Sequence, residues 1–537
     1  MASYAIIPYT ASALQDALVK GSHDQDPTIA NKNHAQYLDE YLRDRGARTM
    51  VVETRYVDRD FLEDFAAYHV RCFVPYANIC SRLHFFSIDV NRRQFDAIVL
   101  RRRRSQDLQK AYLGFIVVKP LPRTVIGRTC LACYPPQGPG FTRSYPTTLS
   151  EGANLFGISL SVKSLPFQEQ DRDVAACASS ALWSVLNGTG QLFQHRTLSP
   201  VEITKAAALH TRMDNRDFPA GDGLTSNQIA DAIRSVELEP HAIGVEKPHI
   251  LRVAALAYLR AGIPCMLLGR LICNPTQTNE EVIGSHAVAI AGFAVPDGSH
   301  GAQLPHPAQC RFKALSADKI YCHDDQVGPF SRMSFDPNGL LTSWPSRHGQ
   351  VFLQPETLIV PLYHKIRISA VSLIDRIQVI DGILELFRAH GLVMLKERIT
   401  WDLHLCTLNA FRTELAGSTV DDRNKRRLLL RDYPRFLCGL KPRWQEARFS
   451  RHYLTRRIYS KVSIWLMLSR MIRRPVLRLV RPQGPRAPVS LIILRLYASL
   501  IGSPTIKRIC NTSVQTHSED SPEGRISFWV GSGPPAT

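Results

Sequence analysis

The chain has 537 residues, 45% of them hydrophobic and 21% charged, which describes a globular protein of several domains and excludes a disordered polyelectrolyte. Its formal net charge of +19 invites a nucleic-acid or anionic-membrane partner. The distribution weakens that inference: residues 438–537 hold 17 Lys and Arg against 4 Asp and Glu, so +13 of the +19 lies in this last stretch.

Twelve irregularly spaced cysteines in so long a chain do not resemble the dense disulfide framework of a small secreted domain, and reduced thiols are expected. "MASYAIIPYTASALQDALVKG" has neither a basic leader nor the apolar core of an export signal, so the expected location is the cytoplasm.

Residues 1–150 mix helical segments with apolar, β-prone runs such as "FDAIVL" and "AYLGFIVVKPLP" and read as a mixed α/β domain without an assigned role. The basic run Arg101–Arg104 reads as a solvated loop or strand end. Cys130 and Cys133 in "CLAC" have the spacing of half a zinc site or a redox pair. No second pair or nearby His completes a ligand set, so neither a metal nor another cofactor is expected.

In "DRDVAACASSALWSVLNG", residues 171–188, apolar side chains recur at helical spacing. Asp173 is a candidate cap, Asn187-Gly188 a candidate stop. Cys177 then falls in the first turn, where the helix dipole favours the nucleophilic thiolate. A cysteine in an alanine-rich helix is more often a small packing hydrophobe, so a partner is required. His286 in "GSHAVAIAGF" offers one: an imidazole at the start of an apolar strand that Gly292 would end. Upstream, a helix in "HILRVAALAYLR" leads into a second strand from Cys265 to Leu268. Lys319 to His323 reads as a third strand, closed by Asp324 and Asp325 before a Gly328-Pro329 turn. Either carboxylate would fix the imidazole's tautomer and stabilise the imidazolium. Spacing to Gly328 favours Asp325, whereas alternation with Ile320 and Cys322 favours Asp324; the sequence does not choose.

The order of these elements, a capped Cys helix, "GLTSNQIADAIRSVELEP", "LRAGIPCMLL", "GSHAVAIAGF" and "IYCHDD", resembles the papain-like cysteine peptidases. The resemblance is closest to the compact bacterial branch that includes double-glycine leader peptidases, and it covers about residues 165–335. It implies an α+β fold with a nucleophile helix packed on an antiparallel sheet, Cys177 as nucleophile, His286 as general base and Asp324 or Asp325 as orienter. It also implies a glutamine shortly before the cysteine, whose amide would help hold an oxyanion; Gln168 and Gln170 are available, Gln170 being the better match. Departures from the pattern are Ala176 and Ala178 where a glycine commonly neighbours the nucleophile, and a long insertion, "AVPDGSHGAQLPHPAQCRFKALSAD", between His286 and the Asp pair.

The expected organisation is therefore an N-terminal domain over 1–150, a papain-like domain over 160–336, an accessory helical or mixed region over 340–436, and a basic tail over 437–537. The tail's apolar runs are broken by Lys461, Arg470 and Arg495, so none reaches the length of a membrane span. It reads as a membrane-surface segment, a nucleic-acid-binding tail, or a stretch such as a shifted frame produces; the abrupt change of composition favours the third. The expected function is thiol-dependent acyl transfer, a cysteine peptidase or amidase acting on a peptide or protein. Its rival is an inactive papain-like module that binds a peptide without cutting it.

Overall fold

The computed structural model describes residues 4–405 except 24–27, 103–104, 172–176, 209–222, 274–280, 300, 306–309, 347–348, 365–368, 390–399 and 404. The sequence expectations for Asp173, Arg103, Arg104, residues 406–436 and the 437–537 tail lie outside the described residues. The architecture is α+β, with antiparallel pairing dominating.

The chain opens with β1 (Tyr4–Pro8), α1 (Ala11–Ser22), α2 (Asn33–Asp44), β2 (Thr49–Tyr56), α3 (Arg59–Ala67), β3 (Cys80–Phe86), α4 (Arg92–Val99), α5 (Gln106–Ala111), β4 (Tyr112–Val118) and β5 (Ile126–Leu131). Strands β1 to β5 form one sheet in sequence order. β4 reads as seven consecutive buried residues, YLGFIVV, because the sheet is covered on both faces: α1 and α2 pack on one, and α4 with the later hairpin of β8 (Leu149–Leu155) and β9 (Ile158–Ser164) lies over the other. "FDAIVL", expected to be extended, is instead the body of α4. A reciprocal capping box between Asn91 and Gln94 starts a helix there, and a good cap outweighs the modest β preference of a short apolar run.

Next come β6 (Gln137–Gly138), β7 (Phe141–Ser144), β8 (Leu149–Leu155) and β9 (Ile158–Ser164). β8 and β9 form a hairpin, whereas β6 and β7 join the large sheet downstream. The helices α6 (Cys177–Phe193), α7 (Pro200–Ala207) and α8 (Ser226–Arg234) follow, then β10 (Leu238–Gly244), α9 (Pro248–Arg260), β11 (Cys265–Cys273) and β12 (Glu281–Pro296). The remaining elements are β13 (Ala302–Gln303), β14 (Arg311–Phe312), β15 (Lys319–Asp324), β16 (Gly328–Asp336), β17 (Gly339–Leu341), β18 (Val351–Tyr363), α10 (Ala370–Ala389) and β19 (Thr400–Trp401). Strands β11, β12, β15, β16, β17 and β18 pair in a closed antiparallel ring, β18 returning to β11. Closure leaves this ring without an unpaired edge. α6 packs on it, with Ala181, Leu182, Val185 and Leu186 meeting Met266, Ala287, Ala289 and Ile359 in one core.

Four local expectations are corrected. The turn after β15 spans residues 325–327, and Gly328 with Pro329 already opens β16 instead of forming the turn. α6 runs through Asn187 and Gly188 to Phe193: Asn187 turns its amide back onto the Trp183 carbonyl at 2.9 Å, and Gly188 sits where a Cβ would meet Pro264 at 2.8 Å and Leu165 at 2.9 Å. That glycine is demanded by close packing, so it does not stop the helix. Gly292 likewise does not end β12. It marks a register shift against β15, where a Cβ would meet Tyr145 at 2.5 Å and the Ser144 carbonyl at 2.6 Å. The insertion before Lys319 is not simply a loop, since it holds β13, β14 and a short 3-10 turn, Lys313–Ser316.

The described residues up to Asp375, with Thr400–Leu405, form one compact unit, and the later part of α10 belongs to a second. Among the described residues no helix is long and apolar enough to cross a membrane, and the nine described cysteines are all free.

Candidate active site

Cys177 is the first residue of α6 and is partly exposed. The first backbone N–H groups of a helix lack intrahelical partners and point out of its N-terminus, so this position places a thiol at the positive end of the helix dipole. Its neighbours Ala178 and Ala181 are buried, which fixes the helix and leaves the sulfur at the rim.

His286 lies within β12 rather than at its start, but at the residue where the strand passes from exposed to buried. The exposed part, residues 281–285, extends the strand beyond the apolar run that the sequence pattern registers. Opposite His286 on β11 stands Gly269, where any Cβ would lie 2.2 Å from the Gln354 carbonyl. His286 Nε2 lies 3.1 Å from Asp324 Oδ1, and the Cys177 side chain is near enough to the ring to raise its basicity. With Nε2 on the carboxylate, Nδ1 is the ring atom left for the sulfur.

Asp324 ends β15 and is fully buried. Its Oδ1 also accepts the Gln326 N–H at 3.0 Å, while Oδ2 accepts the indole N–H of Trp344 at 2.9 Å. Asp325 Oδ1 is 3.9 Å from His286 Nε2 and takes no hydrogen bond; Oδ2 accepts from the Gln326 amide at 2.9 Å. Of the two carboxylates that the sequence left open, Asp324 is thus the one in hydrogen-bond contact with the imidazole, and the alternation argument pointed to it.

Electrostatics separates the two acids. Burial alone would depress the basicity of His286, but the Asp324 charge and hydrogen bond, helped by Cys177 and Asp325, outweigh it and hold the imidazole well above its ordinary range. Burial raises Asp324 too, yet His286 with the Gln326 and Trp344 donors brings it below the usual carboxylate value. Asp325 is pushed up to about 6, chiefly by burial, because His286 favours its charge while Asp324 opposes it.

Gln168 is buried and its Nε2 has no partner; Gln170 is half-buried. Trp344 was not anticipated. Its ring stands edge-on to His286 at 5.2 Å, but in sequence it lies beyond the recognised elements and is marked only as a tryptophan before a proline. His286, Asp324 and Asp325 are the one His/Cys/Asp/Glu group among the described residues close enough to share a metal ion. The hydrogen bonds on both oxygens of Asp324 describe an imidazole-orienting pair instead. The CLAC cysteines are apart from this chemistry: burial pushes the Cys130 thiol up and Cys133 to about 12.

A scan against protein-family models gives no match for this chain, and a search of the curated proteins gives none either.

Proposed function

We propose that the chain is a cysteine hydrolase of papain-like type, cutting an amide bond in a peptide or protein with Cys177, His286 and Asp324. The observation that carries this reading is one buried imidazole hydrogen-bonded to a buried carboxylate and electrostatically coupled to a helix-terminal thiol, which supplies orienter, base and nucleophile together.

In the proposed reaction the Cys177 proton passes to His286, and the sulfur adds to the scissile carbonyl carbon. The carbonyl electron pair becomes an oxyanion held by the Cys177 N–H and a glutamine amide. Of the two glutamines, Gln168 carries the buried donor without a partner. Collapse breaks the C–N bond, and the imidazolium gives its proton to the departing amine. Water, deprotonated by His286, then cleaves the thioester and releases the acid. Asp324 stays ionised and keeps the imidazole oriented.

The test is pH-resolved labelling with limiting iodoacetamide, read by mass spectrometry, alongside a peptide-library cleavage screen. The expected result is selective Cys177 labelling below pH 7 that His286→Ala abolishes, with cleavage lost in Cys177→Ala. Labelling of Cys177 no faster than the other eleven cysteines would overturn the reading and favour a binding module.

A further inference from the structure

The residues that hold the acid's turn come from the N-terminal region. His34, near the start of α2 and buried, has Nε2 2.7 Å from the carbonyl oxygen of Asp325. Tyr37, one turn later, donates its hydroxyl to the Pro329 carbonyl at 2.8 Å. Its ring lies against Gly328, where a Cβ would come within 2.4 Å of it. The peptide group whose oxygen faces His34 is the one whose N–H, on Gln326, reaches Asp324 Oδ1 at 3.0 Å. That same oxygen receives His286 Nε2. One rigid peptide plane therefore has His34 at one end and the orienting carboxylate at the other.

We propose that His34 is a positioning residue for His286, acting through the Asp325–Gln326 peptide. The inference rests on the catalytic reading of Cys177, His286 and Asp324. A peptide unit is planar, so an anchor on its oxygen also fixes the direction of its N–H. A hydrogen bond accepted at the oxygen further polarises the N–H as a donor. Without the anchor the plane is free to rotate, the Gln326 N–H leaves Oδ1, and beyond His286 itself Asp324 keeps only the Trp344 donor, on its other oxygen. The carboxylate then drifts from Nε2, and the attraction that keeps His286 protonated weakens.

The charged neighbours are few. His286 faces Cys177 from α6, Asp324 from the end of β15, and Asp325 from the turn. His34 has Glu169 Oε1 4.0 Å from Nδ1, and Glu169 is itself paired with Lys32. His34 also bears electrostatically on Asp325, an influence that the leucine, glutamine and asparagine variants all lack, so the glutamine variant isolates the hydrogen bond.

The test is the titration midpoint of His286, followed by NMR in full-length protein carrying 13C-labelled histidine and assigned by the signal missing from His286→Ala. His34→Leu fills the space without a donor and is expected to lower the midpoint by at least about half a unit. His34→Gln, which keeps an N–H donor, is expected to restore most of that shift. His34→Asn, too short to reach, should behave as His34→Leu and decides the matter if the leucine variant does not fold. An unchanged or raised midpoint in the donor-free variant overturns the proposal, as does a glutamine variant that falls just as far. The midpoint is read without any substrate, so a shift without Cys177 reactivity would sink the catalytic reading and leave the positioning role standing. Selective Cys177 labelling with no midpoint shift would do the reverse.

Discussion

Trp344 and Asp324 meet through a single hydrogen bond, indole Nε1 to carboxylate Oδ2 at 2.9 Å, while the same indole covers the edge of His286. The tryptophan both donates to the acid and shields the His–Asp contact from water, where a hydrogen bond to an ionised group is strongest. Trp344→Phe, which keeps a ring and loses the donor, is expected to slow Cys177 alkylation at pH 6 by roughly 3- to 10-fold, a part of the ~1.5–3 kcal/mol that a hydrogen bond to a charged group is worth. Trp344→Ala should cost more because it also admits solvent. Equal effects from both would show that the N–H contributes nothing.

The two adjacent aspartates should respond unequally to amidation. Asp324→Asn removes the charge that holds His286 protonated, so the His286 midpoint is expected to fall by more than one unit. Asp325→Asn is expected to move it less, since that carboxylate lies 3.9 Å away without a hydrogen bond to the ring.

Asp325 also has a stability signature. Its folded-state value of about 6 is above that of an unfolded aspartate, about 3.9. Below the unfolded value the group is neutral in both states and carries no penalty. As pH rises through that value toward 6, only the unfolded chain ionises freely, so the native state loses stability on the order of 3 kcal/mol, levelling off above the folded value. Asp325→Asn should therefore melt higher than the parent at pH 7.5, with the difference closing near pH 4. Thermal melts across that range check the sign; a constant difference would contradict it.

An oxyanion donor must be unoccupied before substrate arrives. Gln168 meets that condition with a buried, unpartnered Nε2. Once a substrate is found, Gln168→Ala is expected to lower kcat by about 10- to 1,000-fold, with KM little changed, and Gln170→Ala to do less. The reverse ranking would return the role to Gln170.

Gly292 tests how the N-terminal segment joins the ring. A methyl there would strike both the Tyr145 ring and the Ser144 backbone, and backbone cannot move aside as a flexible side chain can. Gly292→Ala is expected to destabilise the protein by about 1–3 kcal/mol, measured by urea unfolding. Gly152→Ala, where a Cβ would meet nothing, is the control.

Much of the candidate site was legible because its signals are local. The periodicity of residues 177–186, the apolar strand following His286 and the Asp pair before Gly-Pro are set by burial and turn chemistry within a few residues. Local signals misled where long-range packing decides: Gly188 and Gly292 look like terminators, yet each is small because another segment lies against it. Both faces of β15 are covered, every residue from Ile320 to Asp324 being buried, so alternation alone was a weak guide to which aspartate faces His286.

The cysteine, histidine and aspartates of the candidate site, the helix near Cys177, the strand bearing His286, the strand that the Asp pair closes and the mixed α+β class were all readable from the sequence. Tertiary structure alone decided that Asp324 holds the imidazole, that Trp344 covers the pair, and that His34 from the N-terminal region anchors the adjoining peptide. Those contacts join residues 20, 38 and 291 positions apart. No periodicity encodes such pairs, because they arise only when closure of the ring and docking of α2 bring distant backbone into hydrogen-bond range.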